Sequence, residues 1–467
     1  MRLSEEKHLD SIGEENRRYL LIRVAVVLLI PVMLLMLGPV GGIARAQEPS
    51  APQTLPILTR DEAVRLALIQ ASTFQQAKLN ELIAAEDVRQ ARAAFLPVVN
   101  SPSEFIYTSP THGMVQQPGT PPTPSFIANN AVTEYLAVIG FSGELDLFGR
   151  LRATLRRNGA LLEAARAGTE AARRALIEAV DEAYYGFALA EGRRRAAELT
   201  LAGAVEFERI TGLMSNAGEV AQVDLTRAHL QAIGRRDDLD QARANEAIAA
   251  DGLKVLIGYD FTRPIETTDL ASVSPSRSEI NGFAVDMVLK RPELVQFEFQ
   301  KRAADQEVSI ARAARRPQIT YSILNGFDTD SLRPQPLREH SGVAATINIT
   351  VPIFDWGISK SREQQARLRG QSVDSQRTVA LRGLTQQFYA ARTQALTAAD
   401  RVDALRAGIV DAERNLQTSI ARYRAGEAPI LEVTDATSTL ASERSSLYQA
   451  LFDYQVARAK LAQAAGQ

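Results

Sequence analysis

The sequence predicts a mainly helical α+β fold, in which very long antiparallel coiled-coil helices carry a four-stranded β region. Three observations lead to this fold class. The two halves of the 467-residue chain share short segments in the same order, and each half contains a long glycine-bounded stretch rich in helix-forming residues. In each half, the hydrophobic period also changes from about 3.6 to about 2 after a proline.

The first observation is an internal duplication. Residues 91–94 with Pro97 recur as 311–314 with Pro317, and residues 217–219 recur as 425–427. A repeat of half a chain is far longer than the unit of about 20 to 50 residues that builds a solenoid. We therefore predict a first repeat over 47–258, a linker or equatorial segment over 259–280, and a second repeat over 281–467.

The first 46 residues predict a signal peptide with an unusually long charged start. Basic residues precede an apolar run of 14 residues at 24–37, and Ala-Arg-Ala at 44–46 supplies the small residues that signal peptidase reads. A retained membrane anchor is the alternative, although the run is short for the roughly 20 residues that span a bilayer. Either reading takes the mature chain out of the cytoplasm.

Composition excludes several classes of function. A formal net charge of −2 gives no electrostatic basis for binding nucleic acid. The sequence has no cysteine, which excludes disulfides, thiolate metal sites, cysteine nucleophiles and acylation at cysteine. The four histidines are scattered singly, and no nucleotide-binding or hydrolase motif occurs. The sequence therefore predicts no catalytic residue, no metal and no cofactor, and we expect that the protein is not an enzyme.

A helix is predicted at the start of each repeat. In the first repeat it runs over about 59–96, with Thr59 as N-cap and Glu62 as the reciprocal member of a capping box. Pro97 ends it. The counterpart in the second repeat runs over about 283–316 and ends at Pro317.

The longest helices are predicted between paired glycines. Gly149 to Gly218 and Gly357 to Gly426 are both 69 steps apart, which as a helix is on the order of 100 Å. Leu176, Val180, Tyr184 and Phe187 are spaced by 4, 4 and 3, as a coiled-coil seam requires. A shorter helix should follow each, at about 220–257 and 429–465.

A pair of strands is predicted in each repeat, within 98–148 and 318–354, around loops at about 108–130 and 325–342. Ala345, Ile347 and Ile349 alternate with Thr346, Asn348 and Thr350. This alternation fits a membrane barrel wall and a small soluble sandwich equally well. The long helices favour the barrel, because they cannot belong to a compact domain. Four strands cannot close a barrel, so the chain must oligomerise.

These features together resemble the TolC family of outer-membrane efflux proteins, over nearly all of the mature chain. Each motif is weak by itself, but their order, given twice, is specific. The residues that carry the resemblance are 58–68, 95–97, 145–150, 351–357, 423–426 and 431–437.

The resemblance implies a homotrimer with a twelve-stranded barrel in outer-membrane lipid and a helical tunnel through the periplasm. It implies a passive exit duct, loaded by an inner-membrane pump and a periplasmic adaptor of an efflux or type I secretion system. A periplasmic or surface coiled-coil tether without a channel is the alternative function.

The resemblance also gives roles to residues near the ends of the helical hairpins. Gly218 and Gly426 would lie at the periplasmic tips, where an adaptor docks. Glu432 and Asp435 would line the closed periplasmic entrance, which would make it sensitive to cations and pH. For Glu432 alone, complementing the helix dipole is the competing role.

A latch that holds the entrance closed is implied for Tyr423 and Asp224. An arginine that some relatives place two residues after the tip glycine is missing, because Ala428 stands there. Arg422, Arg424 or Arg227 could substitute for it.

Three aromatic residues are predicted at the interface between barrel and membrane surface: Phe148, Phe354 and Trp356, the only tryptophan. For Trp356, packing at a turn is an equally good explanation.

Overall fold

The structure is a computed structural model that describes residues 57–107 and 133–466. The predicted signal peptide and the predicted loop at 108–130 lie outside these residues. The helices are α1 (Arg60–Ile69), α2 (Thr73–Ala93), α3 (Arg150–Asn216), α4 (Gln222–Ile257), α5 (Arg277–Asn281), α6 (Pro292–Ala313), α7 (Pro334–Glu339), α8 (Ile358–Arg424) and α9 (Ile430–Ala464). The strands are β1 (Ile57–Leu58), β2 (Val98–Asn100), β3 (Ser103–Tyr107), β4 (Thr133–Leu145), β5 (Glu266–Thr267), β6 (Gln318–Thr329) and β7 (Ser341–Thr350).

The first helix of each repeat is interrupted, so the continuous helices predicted over 59–96 and 283–316 are wrong. Thr59 caps α1 as predicted, but the Glu62 side chain pairs with Arg65. The chain then becomes extended at Gln70, and Ser72 caps a new helix by accepting a hydrogen bond from the Gln75 N–H. In the second repeat a 3₁₀ turn at Val285–Lys290 precedes α6, which begins at Pro292, where proline fits the first turn.

The two long helices are confirmed, and both contain 67 residues. Each begins after a left-handed glycine, Gly149 with φ of 81° and Gly357 with φ of 85°. α3 packs against α4, α8 packs against α9, and α9 also packs against α3. The seam predicted from Leu176 to Phe187 is buried in one core cluster.

The strands form one antiparallel sheet in the order β2, β4, β6, β7, and β3 pairs with β4 beside β2. Counting β2 and β3 as one strand interrupted at Ser101 and Pro102, the sheet has the four predicted strands. The central pair, β4 with β6, joins the two repeats. The loop predicted at 325–342 is shorter, because β6 continues to Thr329, β7 begins at Ser341 and α7 lies between them.

The register aligns the polar residues of neighbouring strands on one face near the helical end of the sheet. Ser142, Ser322 and Thr346 form one row across β4, β6 and β7, and Glu144, Thr320 and Asn348 form the next. The row between them is Gly143, Tyr321 and Ile347, on the opposite face. The predicted alternation is therefore a property of the whole sheet at this end.

A second, two-stranded sheet lies beside the middle of α3, where β1 pairs with β5 in parallel. Buried side chains of α3 form hydrogen bonds with both strands of this small sheet. Tyr184 Oη donates to the Leu58 carbonyl at 3.0 Å, and the Glu191 carboxylate accepts from the Thr267 N–H at 3.3 Å and from its hydroxyl. Asp181, 2% exposed, accepts two hydrogen bonds from Arg60 at 2.7 and 2.8 Å. This bonding raises the pKa of Arg60.

Within the described ranges, every helix is too short or too polar to cross a bilayer.

Candidate functional site

The helical hairpins end in two tips of the same construction. Gly218 and Gly426 adopt φ of 78° and 74°, which favours glycine. In the first tip the Glu219 N–H donates to the Met214 carbonyl at 2.9 Å. In the second, the Glu427 N–H donates to the Arg422 carbonyl at 2.9 Å. Both are Schellman motifs, which end a helix and reverse the chain.

The tips are exposed, so their backbone is open to a partner. Residues 216–219 and 424–427 are all exposed, and a Cβ placed on either tip glycine would contact no atom within 4 Å. The positive φ values, and not close packing, explain why glycine occupies this position in both repeats.

A small apolar core directly behind the tips holds the two hairpins together. Phe207 and Tyr423 pack with ring centroids 5.3 Å apart, and Ile430 and Val433 are buried beside them. Ala228 of α4 belongs to the same cluster, so all four long elements of the hairpins meet here. The structure thus brings the predicted tip and latch residues into one region.

Tyr423 is only 3% exposed, and its hydroxyl has no hydrogen-bond partner among the described residues. Burial raises the pKa of Tyr423, the neighbouring Thr211 side chain offsets part of this rise, and the nearby charge of Asp224 adds to it. The Asp224 carboxylate instead lies 3.9 Å from Arg227. The predicted latch is therefore not formed by a hydrogen bond within this chain, and its role in the assembled protein stays a prediction.

Glu432 and Asp435 are both on the first turns of α9 but have different surroundings. The Glu432 carboxylate accepts hydrogen bonds from Arg422 at 2.6 Å and from the Ser419 hydroxyl at 3.3 Å. Asp435 is exposed and makes no ion pair with any described residue. Of the two predicted entrance carboxylates, only Asp435 has a charge that no described residue pairs with.

Sequence reasoning did not identify Arg422 as the partner of Glu432, although Arg422 was one of three candidates for an arginine near the tip. The ten-residue separation crosses the Schellman turn, which places the last turn of α8 opposite the first turn of α9. The positions of Arg422 and Glu432 on either side of Gly426 are the sequence feature from which this ion pair could be predicted.

The three predicted interface aromatics lie where strands give way to long helices. Phe148 immediately precedes Gly149 and is 44% exposed, Phe354 is 72% exposed and Trp356 is 87% exposed. The Phe354 and Trp356 rings meet edge to face with centroids 4.8 Å apart. Asp355 between them caps α8 by accepting from the Ser359 N–H at 2.8 Å. Trp356 therefore contacts Phe354 at this turn while most of its surface stays exposed, and both roles predicted for it stay predictions.

No cluster of three or more metal-ligating side chains occurs in the part of the chain that the structure describes.

The chain belongs to the outer membrane efflux protein family, whose model matches residues 63–259 and 285–467. The match falls in two segments, in agreement with the internal duplication. As a member of this family, the protein is a non-enzymatic outer-membrane efflux channel with helices that extend into the periplasm.

Several curated proteins are similar to it. The probable outer membrane lipoprotein SilC of Salmonella typhimurium is 26% identical over 82% of both chains. The cation efflux system protein CusC of Escherichia coli is 27% identical over 72% of this chain and 74% of CusC. Outer membrane protein OprJ of Pseudomonas aeruginosa is 28% identical over 63% of this chain and 61% of OprJ.

The fold is also found in solved structures. A crystal structure of CusC has a TM-score of 0.75 at 21% identity and covers 91% of this chain and 95% of that one. VceC of Vibrio cholerae has a TM-score of 0.74 at 20% identity and covers 87% and 96%. These similarities confirm the predicted TolC-like fold.

Proposed function

We propose that three copies of this chain form a passive exit duct, in which a twelve-stranded barrel in the outer membrane opens into a helical tunnel. The observation that carries the proposal is the open sheet. β7 is an edge strand whose ten residues are all exposed, and β2 with β3 forms the other edge. Unpaired backbone groups cannot face lipid, so the edges must pair with those of other copies.

We further propose that the duct is loaded from its periplasmic end by an inner-membrane pump through a periplasmic adaptor. The two exposed Schellman tips at Gly218 and Gly426 support this, because they present backbone and small side chains at the far end of the hairpins from the sheet. Similar proteins include a cation efflux system protein, an antibiotic efflux pump protein and a toluene efflux pump protein. We therefore assign selection of the substrate to the pump and not to this chain.

The entrance at the tips is proposed to be lined by Asp435 and closed with the help of Tyr423 and Asp224. Three copies would place three Asp435 carboxylates around one axis, where a ring of like charges attracts cations. Glu432 is proposed to contribute less, because Arg422 compensates its charge.

The test is to extract the protein in mild detergent, measure its mass by light scattering and then measure conductance in planar bilayers. We expect a trimer and discrete ion-conducting steps. A stable monomer would contradict the barrel, and a trimer without conductance would favour the alternative function, a coiled-coil tether. Protein denatured before reconstitution is the control for detergent leak.

A further inference from the structure

An exposed apolar patch lies at the junction of β7 and α8 and consists of Ile353, Phe354 and Trp356. Their exposed fractions are 92%, 72% and 87%. Trp356 also has φ of 55°, in the left-handed region that non-glycine residues seldom adopt. Backbone strain at an exposed aromatic residue is typical of functional and ligand-binding sites.

Beside this patch, three arginines surround one carboxylate. Glu363 of α8 is 12% exposed, and it accepts from Arg312 at 2.8 Å and Arg367 at 2.7 Å, with Arg315 at 3.5 Å. The three guanidinium groups are each about half exposed. Three guanidinium groups thus surround one carboxylate, which gives this cluster an excess of positive charge.

The start of α8 brings the arginine cluster close to the aromatic patch. Asp355, which lies between Phe354 and Trp356 in the chain, accepts a hydrogen bond from the Ser359 N–H at 2.8 Å. Glu363 is about one helical turn beyond Ser359 on α8, so the arginines that surround it lie about two turns from the aromatic patch.

The first repeat lacks this arrangement, although it builds the same junction. Phe95 and Leu96 stand where the second repeat has Arg315 and Arg316, Leu155 corresponds to Glu363, and Gly159 corresponds to Arg367. Packing of α2 against α3 needs none of these charges. The cluster in the second repeat is therefore not a requirement of the fold.

We propose that this surface binds an anionic phospholipid of the inner leaflet of the outer membrane. The phosphate of the headgroup would contact Arg315 and Arg367, since guanidinium groups match phosphate oxygens in geometry and charge. Phe354 and Trp356 would contact the upper part of the acyl chains, as aromatic residues do at a membrane surface. The inference rests on the outer-membrane channel and its strand-to-helix junction, and it does not depend on the adaptor or the pump.

The only tryptophan, Trp356, allows a direct test. The detergent-solubilised full chain is titrated with phosphatidylglycerol or phosphatidylcholine, each carrying brominated acyl chains that quench tryptophan on contact. We expect saturable quenching with an apparent affinity for phosphatidylglycerol on the order of tenfold above that for phosphatidylcholine. The variant Arg315→Gln/Arg367→Gln should lose this preference while it keeps the Arg312–Glu363 pair.

The matched control is Arg89→Gln/Arg414→Gln, which removes two exposed arginines that each pair with one carboxylate of their own helix. It should bind like the wild type. Equal quenching by both lipids, or unchanged selectivity in the Arg315/Arg367 variant, would overturn the proposal. So would a monomeric Arg315/Arg367 variant beside a trimeric control, because these arginines would then be subunit contacts. A monomeric wild type with full selectivity would contradict the trimer but not the lipid site.

Discussion

At the residue scale, the charge near the tips differs from what the two acidic residues alone suggest. Glu432 and Arg422 form a neutral pair between α8 and α9, so this glutamate stabilises the hairpin end. Asp435, one turn further, has no such partner among the described residues. The sequence could identify both carboxylates, but it could not assign them different roles, because that depends on which arginine the turn brings into reach.

The two carboxylates should therefore respond differently to charge-neutral substitutions. Asp435→Asn should reduce block of the channel by divalent and trivalent cations severalfold, because it removes the proposed entrance carboxylate that has no ion pair among the described residues. The double variant Arg422→Gln/Glu432→Gln removes a neutral pair and should keep the block. Cation titrations of single-channel current in planar bilayers provide the measurement. Strong block in Asp435→Asn but not in the double variant would reverse the assignment.

Tyr423 presents a different problem, because its hydroxyl is buried without a partner. Tyr423→Phe removes that hydroxyl, so the thermal midpoint should stay the same or rise, corresponding to about 1 kcal/mol at most. Tyr184→Phe is the matched control and should lower the midpoint, since it breaks the 3.0 Å hydrogen bond to the Leu58 carbonyl. If Tyr423→Phe destabilises the protein as much as Tyr184→Phe does, the hydroxyl has a partner in the assembled protein.

The same variant tests the latch. If Tyr423 and Asp224 form a hydrogen bond in the closed assembly, Tyr423→Phe should raise the resting conductance and lower the thermal midpoint of the assembled protein. Wild-type conductance would leave Tyr423 as a core residue of the tip.

At the element scale, the long helices could be predicted because glycines mark both ends and helix formers fill the interval. The interruptions at Gln70 and before Pro292 were harder to foresee. The helical periodicity predicted for 59–96 includes residues 70–72. The feature that indicates a break there is Ser72, which caps α2. Asn325, Gly326 and Gly342 favour turns and therefore predict a loop, whereas pairing between β6 and β7 makes these residues part of the sheet.

The attachment of β5 to α3 should depend on pH through Glu191. Burial raises the pKa of this carboxyl, and the hydrogen bonds from Thr267 offset only part of the rise. Because the folded-state pKa exceeds the unfolded value of about 4.3, Glu191 makes the unfolding free energy fall as pH rises through the window between them. Below about pH 4.3 both states are protonated, and the contribution is constant.

Glu191→Gln should remove this pH-dependent contribution to the unfolding free energy. The thermal midpoint of the wild type minus that of Glu191→Gln should therefore decrease between pH 4 and pH 7, which buffers in that range can measure. The exposed Glu427→Gln is the control and should follow the wild type. A difference that increases with pH would mean that the carboxylate form of Glu191 is favoured in the folded protein.

At the scale of the whole molecule, the sheet is the element that a single chain leaves incomplete. The described strands pair in the order β2, β4, β6 and β7, with β3 beside β2 on β4. This order leaves one free edge at each end of the sheet. The sequence could predict that the edges must be paired, since four strands cannot close. It could not predict the register between subunits, because no residue of one chain fixes it.

The absence of natural cysteines makes that register measurable. With Val99→Cys fixed in β2, a second cysteine is moved along β7 from Val343 to Ile349. At the positions where the two edges of neighbouring subunits meet, mild oxidation should give covalent dimers and trimers on a non-reducing gel, because paired strands bring Cβ atoms to within about 5.5 Å. Val99→Cys/Ser322→Cys is the control, since β6 is separated from both edges by a strand and should give no cross-link between subunits. Cross-links of equal strength at every position along β7 would indicate random collision, and their complete absence would show that the edges are closed by something other than another copy of this chain.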